Sequence, residues 1–242
     1  VVFLGTGDAF AAGGRNQATY LVEIAGCRLL LDCGPAALAS LQRHGVPVSP
    51  IEMVLISHFH GDHFGGLPFL FLYFAYVEPR RSPLTVAGPP ELKLRVLRLF
   101  EAMYPDSPVE EFPYSLESVE LAPGSRFMMK GVSIEPFVVP HQQDPPSFGY
   151  VIESDEKKIV YSGDTGWTED LVMRARGSDL FICECSFFET RLETHLDYPK
   201  VLENAARFGS KRVVLTHIGG EVLRREGEVE LEMGYDGMIV SL

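Results

Sequence analysis

Six consecutive residues, His58-Phe59-His60-Gly61-Asp62-His63, carry three imidazoles and a carboxylate. His58 and His60 are two positions apart, so in extended chain their side chains face the same way. Gly61 lets the backbone turn sharply, after which Asp62 and His63 can address a second position. Imidazole and carboxylate donors together suit zinc, manganese or iron. Two such cations side by side lower the pKa of a shared water and clamp both the attacking and the leaving oxygen of a hydrolysis. The run therefore predicts a two-metal hydrolytic centre.

Further donors recur at one kind of place. The β-type run 53–57 leads into His58. The run 133–139 leads past Pro140 to His141, the run 158–162 past Gly163 to Asp164, and the run 212–216 directly to His217. Ligand sites in α/β folds gather at the carboxyl ends of strands, so four segments ending in imidazole or carboxylate point to one site. Of the seven histidines, His44 sits near a helix end, where a cation suits the dipole; no catalytic role is expected of it.

The elements that must position these residues are short and closely punctuated by Gly and Pro. Strand-like runs cover 1–5, 19–24, 28–32, 53–57, 84–87, 133–139, 149–153, 158–162, 180–184 and 212–216. Helical periodicity fits 35–44, 68–76, 90–103, 168–175 and 198–208; for the last, Asp197 is the expected N-cap and Gly209 the expected stop. Strands and helices mix throughout, which predicts an α/β or α+β class. No linker or repeat divides the chain, so a single domain over 1–242 is expected.

Composition narrows the function. With 21 Lys and Arg against 33 Asp and Glu, the net charge is -12. Such a surface does not attract long polyanions, and extended nucleic acid is not expected as a partner. The richest apolar stretch, 67–77, is too short to span a bilayer, and no signal peptide is visible in a chain that opens on Val1. A cytoplasmic protein without a membrane partner is expected. Cys27, Cys33, Cys183 and Cys185 form no C-x-x-C pair and read as buried reduced thiols. Phe69 to Tyr76 is more apolar than one helix face needs, which leaves surplus surface for a core or a homodimer contact.

These motifs resemble the metallo-β-lactamase fold superfamily over nearly the full length. "HFHGDH" matches its H-x-H-x-D-H signature, and "VPH", "SGDT" and "LTH" match its later ligand motifs in order. "LLLDCG", ending near Asp32, matches its early strand, whose aspartate supports the ligands, and "YDGMIVSL" is similar to its closing strand. The resemblance implies a four-layer αββα sandwich. Carried over residue by residue, it implies one divalent metal on His58, His60 and His141, a second on Asp62, His63 and His217, and Asp164 bridging both. Zinc is the expected metal, with manganese or iron as alternatives.

Smaller motifs resemble the ribonuclease Z branch: "FLGTGDAF", "RNQATYLVE", "PSFGYVIE" and "ECSFF". The resemblance gives His195, close to the start of the 198–208 helix, the role of contacting the scissile phosphate or protonating the leaving oxygen. It gives Glu184 the role of orienting His195, and Asp62 that of orienting the nucleophile. Two departures matter. Only 23 positions (164 − 141) separate His141 from Asp164, which leaves no room for the branch's transfer-RNA-gripping arm. Cys183 stands where the branch has the histidine of its H-E-A-T motif.

The expected activity is a phosphodiesterase attacking a small or exposed phosphodiester with a metal-bridging hydroxide. The resemblance extends to smaller relatives without the arm, which include phosphodiesterases acting on cyclic nucleotides or cyclic ribose phosphates. A ribonuclease Z-like RNA endonuclease, a glyoxalase-II-type thioesterase and a non-hydrolytic metabolite-binding or biosynthetic accessory protein remain the alternatives. Arg15 and Asn16 are expected to contact phosphate, and the loop 142–147 to wall the pocket.

Overall fold

The computed structural model describes residues 1–242. Its strands form two six-stranded sheets. The first holds β1 (Val2–Gly5), β2 (Thr19–Ile24), β3 (Cys27–Leu31), β4 (Met53–Leu55), β5 (Leu84–Gly88) and β6 (Leu116–Glu120), side by side in chain order. The second holds β7 (Phe127–Met129), β8 (Val132–Gln143), β9 (Pro146–Glu153), β10 (Lys158–Tyr161), β11 (Leu180–Glu184) and β12 (Val213–Thr216), again in order.

Strand alternation explains the layers. Side chains on a strand point to opposite faces in turn, and here both faces are buried. Tyr20, Val22, Leu29 and Leu31 meet Tyr150, Ile152, Tyr161 and Ile182 in a core between the sheets. Leu21, Leu30 and Val54 face outward instead, against α1 (Ala37–Arg43), α3 (Leu67–Leu72) and α4 (Leu92–Met103). Val151, Val160 and Phe181 face the other way, against α5 (Glu169–Ala175) and α6 (Tyr198–Phe208). The result is the αββα sandwich, and it is why these strands read as continuous apolar runs.

Direction matters more than layering for the site. β3, β4 and β5 are parallel, as are β10, β11 and β12, so their carboxyl ends lie along one rim of the sandwich. At that rim Phe148 N donates to Ser57 O at 2.9 Å, which ties one sheet to the other. Gly163, just past β10, has φ of 59°, and a Cβ there would lie 2.5 Å from Phe148 O of the neighbouring β9 and 3.2 Å from Ser57 Cβ across the rim; a glycine is required for the chain to turn this tightly beside both.

The elements differ from expectation in several places. Two strands went unseen in the sequence: β6, and β7 with only three residues. β8 does not stop at Pro140 but continues to Gln143, with a break in register after Val139. His141 therefore sits in an irregular strand rather than a loop. The closing segment "YDGMIVSL" makes only an isolated bridge, Val2 to Ile239, rather than a strand. In the run 69–76, Leu70, Phe71, Phe74 and Ala75 are buried and Phe69 and Tyr76 are exposed; the chain passes from α3 into a π-type turn over Tyr73–Val77. The four cysteines are buried and unpaired. No helix is long and apolar enough to cross a membrane.

Candidate metal centre and active site

The rim brings the expected donors together as two groups that share one member. Donor atoms of His58, His60, His141 and Asp164 lie within 4.8 Å of one another, as do those of Asp62, His63, Asp164 and His217. Asp164 Oδ2 is 3.2 Å from His63 Nε2, 3.3 Å from His217 Nε2 and 3.8 Å from His58 Nε2. Asp62 Oδ2 is 3.2 Å from His63 Nε2 and 3.3 Å from His217 Nε2. The short helix α2 (Gly61–Phe64) delivers Asp62 and His63, with His60 as its extended N-cap. The backbone is strained at two support points. Asp32 (φ 56°) and His217 (φ 53°) both adopt the left-handed conformation, which is uncommon away from glycine and clusters at functional sites.

Four imidazoles have their Nδ1 committed, which leaves Nε2 facing the centre. His63 Nδ1 donates to Asp32 Oδ2 at 2.7 Å. His141 Nδ1 donates to the Thr194 carbonyl at 2.9 Å. Ser57 Oγ and N donate to the Asp32 carboxylate at 2.8 and 2.7 Å, so His58 Nδ1, 3.0 Å from that hydroxyl, is the donor to it. Ser186 Oγ likewise donates to Glu184 Oε2 at 2.8 Å and accepts from His217 Nδ1 at 2.8 Å. Such outer partners fix the tautomer and orientation of a metal-binding histidine.

The fit to cations rests on what the protein leaves unsatisfied. His58 Nε2, His63 Nε2 and Asp164 Oδ1 are buried without a hydrogen-bond partner, although buried polar atoms are nearly always paired. Charge points the same way. Burial holds the His58, His60 and His141 imidazoles below their usual pKa, so they are neutral donors. Burial also opposes charge on His63, but Asp164 and Asp32 raise it well above its usual range; His217 is raised too, against its own burial, by Asp164 and Asp62. Asp62 and Asp164 are lowered despite burial, through these imidazoles. A cluster of carboxylates that otherwise draws protons onto histidines is arranged to bind divalent metal, and metal binding releases those protons.

His195 stands beside this centre rather than in it. Its Nδ1 is 3.0 Å from Glu184 Oε1, and its ring stacks on His217 with centroids 5.7 Å apart. Burial opposes its charge, but the Glu184 carboxylate outweighs burial and raises its pKa to about 9. Glu184 ends β11 and is itself buried; it also accepts from Thr165 N at 2.7 Å. A third group of close donors, Glu184, His195 and His217, results from this packing. His195, His60, Asp62, Asp164 and His217 line a cleft of about 450 Å³, within the usual size of a small-molecule site. A larger cavity of about 750 Å³ lies elsewhere, around Val1, Lys130 and Lys157, and contains none of these groups.

Two expectations fail here. Arg15 and Asn16 do not face the cleft as phosphate ligands. Arg15 Nη1 donates to Thr6 Oγ1 at 2.8 Å and to Gly234 O, while Asn16 N donates to Asp236 Oδ2 at 2.7 Å and Asn16 Nδ2 to Leu4 O at 3.1 Å. Both are consumed in pinning the amino-terminal loop to the carboxyl-terminal segment. The segment 142–147 is the tight turn of the β8–β9 hairpin; Gln142 reaches His60 Nε2 at 2.9 Å, but the cleft is walled instead by Asp8, Ala9, Phe10, Gly219 and Gly220. The supporting residues Ser57, Thr194 and Ser186 were not anticipated. Two of them had a visible signal, since Ser57 immediately precedes His58 and Ser186 lies within "ECSFF".

Fold and site together are those of the metallo-β-lactamase fold, with two donor groups arranged to hold divalent metal. More narrowly, the chain belongs to the family described as "Anti-Pycsar protein Apyc1", whose model matches residues 1–235. A ribonuclease Z from Ignicoccus hospitalis is 30% identical, over 94% of this chain and 91% of that one. Two solved structures share the fold. Human tRNase Z, short form, has a TM-score of 0.80 and 24% identity over 99% of this chain and 98% of its own. A diphosphatase of the PhnP family has a TM-score of 0.80 and 16% identity over 100% and 96%.

Proposed function

We propose that the protein is a dinuclear phosphodiesterase acting on a small phosphodiester. His58, His60 and His141 would hold one divalent cation, Asp62, His63 and His217 the other, and Asp164 both; zinc suits this donor set best, and manganese or iron also fit it. Cations held there would lower the pKa of water and neutralise charge on the phosphoryl oxygens.

The protein's own groups supply the rest. Asp62, at the edge of the cleft, orients the attacking water through its carboxylate. His195, held and charged by Glu184, presents a proton from Nε2 to the leaving oxygen as the P–O bond breaks. A carboxylate-backed imidazole donating in this way acts as a general acid. The observation that carries the reading is that His195 lies on the wall of the same cleft as Asp62, Asp164 and His217. The short β8–β9–β10 path from His141 to Asp164, without an arm, supports a small substrate over a transfer RNA.

The test compares bis(p-nitrophenyl) phosphate with a glutathione thioester on metal-loaded protein. Turnover of the phosphodiester is expected. Turnover of the thioester alone would make the protein a thioesterase, and failure on every ester class would favour a binding or accessory role.

A further inference from the structure

Among the imidazoles of the centre, His60 is oriented differently. His58, His63, His141 and His217 each tie Nδ1 to an outer partner. His60 Nδ1 instead lies 3.1 Å from His141 Nε2, and His60 Nε2 lies 2.9 Å from the side-chain amide of Gln142. His141 Nδ1 donates to the Thr194 carbonyl, so His141 Nε2 turns a lone pair toward the centre. Two nitrogens that each sit about 2.0–2.1 Å from one tetrahedral zinc lie about 3.3 Å apart. His60 Nδ1 and His141 Nε2 therefore have the spacing of two ligands to one cation.

This reversal moves a proton. A neutral imidazole that gives Nδ1 to a metal carries its hydrogen on Nε2, and the group facing Nε2 is Gln142. A glutamine amide presents either its oxygen or its nitrogen to a neighbour after a half-turn about its last bond, so Oε1 can accept that hydrogen.

The backbone holds Gln142 in place for this. Successive residues of a regular strand point to opposite faces, yet His141 and Gln142 address the two nitrogens of one ring. The break in register after Val139 makes this possible. The chain is fixed on either side of His141: Pro140 O accepts from Gly166 N at 2.7 Å, and Gln142 N donates to the buried Ser147 Oγ at 3.1 Å. His60 itself is exposed, so a side chain lacking the amide would leave its Nε2 to water.

Resting on the two-metal reading above, we infer that Gln142 is the outer partner of His60. Its amide oxygen accepts from Nε2–H, holds the ring, and leaves the Nδ1 lone pair for the cation that His58, His141 and Asp164 also address. Gln142 is a positioning residue, doing for His60 what Asp32 does for His63 and Ser186 for His217. Such partners set the tautomer of a metal-binding histidine and raise its basicity.

The experiment measures zinc binding to wild type, Gln142→Ala and Gln142→Glu by competition with a chromophoric chelator, with thermal unfolding of the metal-free proteins alongside. Nitrogen-15 NMR of histidine-labelled, zinc-loaded wild type reads which nitrogen of each imidazole is bound. His60 should be the histidine bound through Nδ1 and protonated at Nε2. Gln142→Ala should weaken one of the two zinc-binding steps about 10–100-fold and leave the other step and the unfolding temperature unchanged. Gln142→Glu, which keeps an acceptor, should restore the weakened step. Zinc on Nε2 of His60, unaltered binding in Gln142→Ala, equal loss of both steps, or a Glu variant as weak as the Ala variant would each overturn the role while leaving the two-metal reading intact. No stoichiometric zinc in wild type would remove that reading, and this inference with it.

Discussion

Asp32 Oδ2 accepts the Nδ1 proton of His63 at 2.7 Å and, at 2.6 Å, the hydroxyl proton of Tyr161 from the opposite sheet. With both Ser57 donors, this one buried carboxylate ties β3, the His58–His63 run and β10 together. It sets the tautomer of His63 directly and that of His58 through Ser57. The centre is therefore supported by both sheets at once.

Asp32→Asn tests that support. Asparagine tolerates the left-handed backbone of position 32, so the fold should persist. The neutral amide no longer favours a proton on His63 Nδ1, and metal affinity should fall about 10–100-fold, the usual cost of losing such a partner. Competition with a chromophoric chelator measures it. Tyr161→Phe should destabilise the protein by about 1.5–3 kcal/mol, since it removes one hydrogen bond to a charged group; urea unfolding measures that.

The His195–Glu184 pair predicts a pH profile. Glu184 holds His195 protonated up to about pH 9 in the metal-free protein. Bound cations lower this in any variant, so the readout is the difference between variants. Glu184→Gln should move the alkaline limb of kcat to lower pH, while metal content is kept. His195→Ala should retain metal and lose about 10²–10⁴-fold in turnover of poor leaving groups, with less effect on p-nitrophenolate. Loss of metal in His195→Ala would assign that residue to the metal centre instead.

Acid should loosen one wall of the cleft. The Glu221 carboxyl is drawn down from 4.5 to about 2, chiefly by the Thr190 hydroxyl and then by the N–H groups of Thr190, Glu189 and Phe188. A carboxyl lowered by folding stabilises the native state above its unfolded pKa, and that contribution disappears as pH falls through the folded value. Hydrogen exchange at 188–190 should therefore speed up between about pH 4.5 and 2 beyond the intrinsic pH effect. In Glu221→Gln the segment should exchange faster at neutral pH and show no such step.

Much of this site could be read from the chain because its donors follow strands directly. Leu55, Tyr161 and Thr216 end parallel strands, and the residues just beyond them must meet at one rim. The layers were legible through resemblance rather than through periodicity, since strands buried on both faces lack the alternation that separates inside from outside. β6 and β7 escaped notice as edge strands that are only partly buried. Pro140 masked the continuation of β8, because a residue without an N–H normally ends a ladder. Arg15 and Asn16 misled for a different reason: their chemistry suits phosphate, but their hydrogen bonds are spent on Thr6, Leu4, Gly234 and Asp236. Only three-dimensional pairing reveals which polar groups are already satisfied.

One carboxylate, Asp164, is shared by both donor groups and would join them into a single two-metal centre. Elemental analysis of metal-loaded wild type and Asp164→Ala, with circular dichroism to confirm folding, tests it most directly. Two metals per chain are predicted for wild type and fewer than one for the folded variant. Two metals per chain in Asp164→Ala, or no stoichiometric metal in wild type, would contradict it.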